Sequence, residues 1–249
     1  MKQLSLALTI FFAATAGISS AATVLTENFT YVDGALVTVS GGVWATHSGV
    51  PLQVNVASNA AFITSAESED VNARIAPAGF GFTGGTLTAR TEVNFSALPV
   101  GAGAYFFHFK DSSSGFRGRV YATVNGAAAG TFRLGIANSS NSVFTPIATD
   151  LVLGTPYTVS LSLNVVTGVA GLSINGGPIT LASDPTDLAQ PIVVEAIAFR
   201  QSLANSNGMG SLTADNLTVD ATVPAVAVPE ASSVVLMLVG GLGLMRRRR

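Results

Sequence analysis

The sequence predicts an all-β fold, an antiparallel β-sandwich of the jelly-roll kind, on three observations. Apolar and polar residues alternate with period two in run after run along the middle of the chain. Glycine-bearing turn signals punctuate those runs. No long amphipathic helix and no internal repeat interrupts them. Composition agrees: 48 % of the 249 residues are hydrophobic, 10 % are charged, and 26 glycines are spread along the chain. That balance buries a sizeable core and excludes a disordered chain.

The runs, in order, place the strands. Leu87, Ala89, Thr91, Val93 and Phe95 point one way, and Thr88, Arg90, Glu92 and Asn94 the other. Tyr105, Phe107 and Phe109 alternate with Phe106, His108 and Lys110. Val120, Ala122 and Val124 alternate with Arg119, Tyr121 and Thr123, and Phe132, Leu134 and Ile136 with Arg133 and Gly135. Val159, Leu161 and Leu163 alternate with Ser160, Ser162 and Asn164. Residues 169–174, 192–199 and 212–219 add three shorter runs. One apolar and one polar face per strand is the pattern of sheets packed face to face. Asn125-Gly126, Thr167-Gly168 and Asn175-Gly176-Gly177 mark turns between runs, because these residues accept positive φ.

Several segments resemble concanavalin A-like and laminin-G-like jelly rolls. These are Glu27-Asn28-Phe29 with Asp33-Gly34 and Gly42-Val43-Trp44, the paired runs 157–163 and 172–175, and Ala214-Asp215-Asn216-Leu217-Thr218-Val219. The resemblance implies a sandwich over residues 23–222 and leaves activity open, since a fold does not fix a function. By the same analogy Asp33, Asp215 and Asn216 are candidate calcium ligands, because carboxylates and carbonyls suit that ion. No other cofactor is expected.

The two ends are of a different kind. Residues 1–22 have the form of a signal peptide: Lys2, an apolar stretch from Leu4 to Ile18, then Ser19-Ser20-Ala21-Ala22 for a signal peptidase cutting after Ala21 or Ala22. Residues 223–228 form a Pro/Ala/Val linker. Residues 229–249 carry Pro229-Glu230-Ala231, an apolar run from Val234 to Met245, and Arg246, Arg247, Arg248 and Arg249. A twelve-residue run makes about 18 Å of helix, short of a bilayer core of about 30 Å. The arginines favour the cytoplasmic side, so both ends put the body outside. This tail resembles the PEP-CTERM sorting signal, with its second proline replaced by Ala231. The resemblance implies an exosortase-type membrane protease as partner, a tail held at the inner membrane, and a Gram-negative cell surface or biofilm matrix as destination.

Charge and chemistry narrow the body's role. Five of the 12 positive residues (Lys2 and Arg246 to Arg249) and one of the 14 acids (Glu230) lie in the end segments. That leaves seven against thirteen, a net −6 that excludes general nucleic-acid binding. Without cysteine there are no disulfides, thiolate zinc sites or cysteine catalysis. No Gly-x-Ser-x-Gly elbow, phosphate loop or His-Glu-x-x-His pair occurs. His47 and His108 are the only histidines, and His108, on a strand among aromatics, reads as a packing or surface residue. Glu67, Glu69 and Asp70 read as a solvated loop, because the acid-flanking aromatics of a glycosidase are missing. Trp44 reads as a core anchor.

One candidate ligand face remains. Arg90, Lys110, Arg117, Arg119 and Arg133 lie on four successive predicted strands, with Phe106, His108 and Tyr121 on the same side of the alternation. Guanidinium groups pair with carboxylate or sulfate, and rings stack on sugars, so the face suits an acidic extracellular polysaccharide. The expectation is therefore a non-catalytic exported surface or matrix protein. A lectin-like module is the alternative, and a glycoside hydrolase stands behind it.

Overall fold

A computed structural model describes residues 21–78, 80–111, 115–188, 192–202 and 207–223. Residues 1–20 of the expected signal peptide and the sorting tail, including Pro229, Glu230, Ala231 and Arg246 to Arg249, lie outside the described residues, while Ala21 and Ala22 open the first strand. Among the described residues, sixteen strands and one turn of helix build the body. They are β1 (Ala21–Glu27), β2 (Gly34–Ala35), α1 (Leu36–Val39), β3 (Trp44–Ser48), β4 (Asn55–Ala57), β5 (Ala60–Thr64), β6 (Asp70–Arg74) and β7 (Thr86–Ala97). Then follow β8 (Ala104–Asp111), β9 (Phe116–Thr123), β10 (Arg133–Ala137), β11 (Thr145–Pro146) and β12 (Pro156–Asn164). The last are β13 (Ala170–Ile174), β14 (Thr180–Leu181), β15 (Val194–Arg200) and β16 (Ser211–Thr222).

These strands form two antiparallel sheets. The nine-stranded sheet runs β14-β13-β12-β7-β16-β5-β4-β2, with β1 also pairing β16. The seven-stranded sheet runs β11-β10-β9-β8-β15-β6-β3. Neighbours that are distant in sequence, such as β7 with β16 and β8 with β15, show the crossing connections of a jelly roll. The alternating residues do what their pattern requires. Leu87, Ala89, Val93 and Phe95 of β7 and Val159, Leu161 and Leu163 of β12 are buried against Phe107, Phe109, Val120, Leu134 and Ile136 of the facing sheet.

Aromatic rings from β3, β15 and β8 of the seven-stranded sheet pack together in the core. Trp44 stacks on Phe199 at 5.6 Å, Phe199 on Phe107 at 5.1 Å, and Phe29 meets Trp44 at 5.7 Å. The Trp44 indole donates to Glu27, which also receives the Phe29 amide and the Tyr31 hydroxyl. Trp44 is thus a core anchor whose one polar atom is satisfied. The acidic cluster is not a solvated loop. Glu69 is wholly buried and accepts the Gln53 and Val54 amides and the Thr46 hydroxyl. Three donors satisfy the carboxylate oxygens, and this is what lets the sequence bury the side chain.

Four β-bulges distort the seven-stranded sheet, and they matter for the site. Phe106 is the extra residue of β8 between the pairs Tyr105–Tyr121 and Phe107–Val120. Gly118, at φ +60°, and Arg119 together oppose His108. His47 is the extra residue of β3, and Glu195 of β15. Each bulge shifts the parity of side chains beyond it and re-aims a residue.

Candidate functional site

The outward face of the seven-stranded sheet is the candidate site. Paired residues of adjacent strands point to the same side, so the register builds its rows. Tyr105 of β8 faces Tyr121 of β9, and Tyr121 faces Gly135 of β10. His108 lies in the row of Ala198, Asn72 and Ala45. Lys110 lies in the row of Phe116, Ala196 and Arg74, and Arg200 pairs with Asp70. Small side chains on β15 make the floor, and larger ones on β8 and β9 make a wall. At Gly135 a β-carbon would come within 2.5 Å of the Phe144 ring. Only glycine lets that ring lie flat there, stacked on Tyr121 at 4.4 Å and 11°.

A cleft of about 420 Å3 opens over this wall. Tyr105, Tyr121, Phe144, Arg200, Asn141 and Asn207 are among the residues that line it. Arg119 and Arg200 converge on Tyr105, with guanidinium carbons 4.8 and 4.3 Å from the ring centre. Arg119 is buried and donates to the Phe116 and Ser140 carbonyls and to the Asn141 side chain. The Tyr121 hydroxyl donates to the same Ser140 carbonyl. The loop that carries these partners is itself pinned. Asp184 accepts the amides of Asn138, Ser139 and Ser140.

Behind the cleft lies a group of buried polar atoms without hydrogen-bond partners: both ring nitrogens of His47 and His108, Asp70 Oδ1 and the Gln201 amide. His108 is fully enclosed, edge-on to Tyr105 at 5.4 Å and against Phe116 at 4.4 Å. Burial, then the neighbouring His47 and the cations Arg119, Arg200 and Lys110, push His108 well below the usual histidine range. Burial and then Lys110 push His47 down to about 4. Both rings are neutral at pH 7. Burial raises Tyr105, against the pull of Arg200 and Arg119. Tyr121 is pushed up to about 12, first by burial. Asp70 is pushed up to about 6 by burial, with Ser48 and Arg200 pulling it back.

The structure divides the residues expected on one basic face. His108, Lys110, Arg119 and Tyr121 do share the outward face. Arg133 lies on it too, ion-paired with Asp150 at 2.6 Å. Lys110 is ion-paired with Glu195 at 2.8 Å. Three residues do not belong. Arg90 is on β7 of the other sheet, paired with Asp220 at 2.7 Å. Phe106 is turned into the core by its bulge, against Phe95 at 5.6 Å. Arg117 pairs with the core-facing Phe109, and its guanidinium is held by Asp111 at 2.9 Å and by the Asp187 carbonyl. Alternation missed Tyr105, Arg200, Phe144 and His47 as members.

The calcium candidates have local roles. Asp33 accepts the Ser58 amide, and Asp215 accepts the amide of Asn216 at a bulge of β16 where Asn216 sits at φ +52°. Among the described residues no three His, Cys, Asp or Glu side chains group as a metal site.

No family model matches the chain, and no curated protein matches it. Solved structures do. The chain is similar to a conserved carbohydrate esterase from a Shiga toxin-encoding bacteriophage, with TM-score 0.55 and 12 % identity, over 82 % of this chain and 100 % of that one. It is similar to the alginate lyase Aly36B, with TM-score 0.52 and 15 % identity, over 82 % of this chain and 97 % of that one. It also matches a sialidase, with TM-score 0.49 and 18 % identity, over 79 % of this chain but spanning only 19 % of the sialidase's length. The body is a jelly-roll sandwich. The expectation of a non-catalytic surface protein is corrected by these neighbours: the same fold, over nearly their whole length, serves proteins described as a carbohydrate esterase and an alginate lyase. The buried, unpartnered ionisable groups behind the cleft argue the same way.

Proposed function

We propose that this domain is an enzyme that cleaves an acidic, uronate-bearing polysaccharide by β-elimination in the cleft over Tyr105. The convergence of Arg119 and Arg200 on that ring carries the reading. The alginate lyase among the structural neighbours supports the substrate class. Hydrolysis by a carboxylate pair is the poorer fit, because none of the described residues lining the cleft is a carboxylate.

Elimination needs three things. The sugar carboxylate must be neutralised, so that the carbon beside it can lose a proton. A group must take that proton while its electron pair forms the new double bond. The glycosidic oxygen must gain a proton as its bond to the sugar breaks. Arg200 at the cleft supplies the charge. Tyr105 lines the cleft and is held in its protonated form, which suits donation to the leaving oxygen. The carbon's proton passes to solvent in the cleft, because His108, neutral behind Tyr105, is fully enclosed and does not line it. Tyr121 and Phe144 offer ring faces for neighbouring sugars.

Purified protein incubated with a panel of polyuronates tests this. The product of elimination is a conjugated unsaturated uronate, read by its ultraviolet absorbance. Tyr105→Phe and Arg200→Ala should each lower kcat/KM by about 100-fold or more. New reducing ends without that absorbance mean hydrolysis and end the reading.

Export belongs to the same proposal. The signal-peptide-like residues 1–22 and the PEP-CTERM-like tail support a route past the inner membrane and handling by an exosortase-type protease. The mass of protein recovered from the producing cells checks this. Loss of both ends is expected, and an intact chain of 249 residues refutes it.

A further inference from the structure

Arg200 lines the cleft and, among the described residues, is ion-paired with one carboxylate. Its strand partner across β6 is Asp70, and Arg200 Nε lies 3.9 Å from Asp70 Oδ2, an ion pair too long for a hydrogen bond. Oδ2 is fixed from the other side by the Ser48 hydroxyl of β3 at 2.7 Å. Oδ1 is buried and has no hydrogen-bond partner. The groups around this carboxylate are Ser48 and His47 from β3, Glu69 before it in the chain, Arg200 at the end of β15 and the Gln201 backbone just after it, and Tyr105 and His108 from β8. Arg200 is the cation paired with it. Asp70 is therefore a carboxylate left half-satisfied inside the fold, held in place by Ser48 and balanced by one guanidinium that also lines the cleft.

We propose that Asp70 is a positioning residue of the cleft: it tethers Arg200 over Tyr105, and an acidic glycan that takes over Arg200 drives a proton onto Asp70. This rests on the reading of the cleft as a uronate site. The sign follows from charge. A ligand carboxylate beside Arg200 weakens the pairing of Asp70 with Arg200 and adds a like charge near it, and both favour the protonated form. By reciprocity, protonating Asp70 strengthens glycan binding. The ordinary range of a buried aspartate pushed up to about 6 makes the coupling visible just above that pH.

Calorimetry of a defined oligouronate, in two buffers of different ionisation enthalpy at about pH 6.5, reads the proton directly. Wild-type protein should take up a fraction of a proton on binding. Asp70→Asn keeps the shape and the Ser48 contact and should take up none. Ser48→Ala removes a bond that favours the carboxylate, so uptake should move to higher pH. Binding by wild type without uptake overturns the proposal. If no oligouronate binds, the uronate reading of the cleft fails. The Arg200 Nε resonance in an NMR pH titration then decides the role of Asp70. A step near pH 6, absent in Asp70→Asn, supports the tether. A flat resonance in wild type overturns it.

Discussion

At the scale of single residues, two arginines that look alike in the sequence do opposite work. Arg90 follows an alternating pattern and is half-exposed on the outer side of the nine-stranded sheet, with Asp220 as its neighbour. Screened surface pairs of this kind contribute little. Arg119 follows the same pattern, but a bulge and the loop after β10 enclose it, and its donors saturate the Phe116 and Ser140 carbonyls. Its removal takes a donor from the Phe116 carbonyl, leaves the Ser140 carbonyl with the Tyr121 hydroxyl, and vacates a buried volume. Urea denaturation should therefore show Arg90→Ala within about 1 kcal/mol of wild type, while Arg119→Ala loses about 1–3 kcal/mol. Polyuronate affinity should follow the same order, unchanged in the first and reduced in the second. Equal losses in both variants would mean that the enclosed guanidinium has no special place. The sequence could offer both as candidates. It could not separate them, because strand neighbourhood decides which sheet a polar face belongs to, and alternation is silent on pairing.

At the scale of elements, alternation placed the strands well and the side-chain directions only in part. The runs at 87–95, 159–163 and 212–219 lie within β7, β12 and β16, with the apolar set buried. Thr167-Gly168 joins β12 to β13, and Asn175, at φ +51°, begins the turn to β14. The errors cluster in β8 and β9. There the sequence Tyr105-Phe106-Phe107 presents three aromatics in a row, and period two forces one of two parities on it. The bulge at Phe106 breaks the choice, sending Tyr105 outward and both phenylalanines inward. Gly118 is the one local sign, since a glycine inside a strand pattern marks a bulge. The bulged residues His47 and Arg119, with Tyr105 beside a third bulge, are the ones the site uses. The departures from regularity that hide the site from a period-two reading are the same ones that build it. Arg200 was out of reach for another reason: it ends β15, and only the pairing of β15 between β6 and β8 brings it to Asp70 and Tyr105.

For the whole molecule, the buried ionisable groups leave a mark on stability that opposing signs make testable. His47 is lowered to about 4 and His108 is lowered too, both from 6.5. Below about pH 6.5 the unfolded chain binds protons on these rings that the folded state refuses, so stability falls as pH drops towards 4. Asp70 acts in the other direction. Its folded value is raised to about 6 from 3.8, so between those values the folded state binds the extra proton, and acidification favours folding. Two histidines set against one aspartate leave a net loss of stability over that window. Each variant then has its own expected slope when urea denaturation is run at about pH 7, 5 and 4. Asp70→Asn removes a burial penalty present only at the high end, so it should be more stable than wild type at pH 7 and should lose stability more steeply on acidification. His47→Gln removes one of the two refused protons and should flatten the fall. The two variants must bracket the wild type. If Asp70→Asn proves the shallower of the two, the carboxylate is ionised and well satisfied in the folded state. Its tie to Arg200 is then a conventional ion pair and not a poised one.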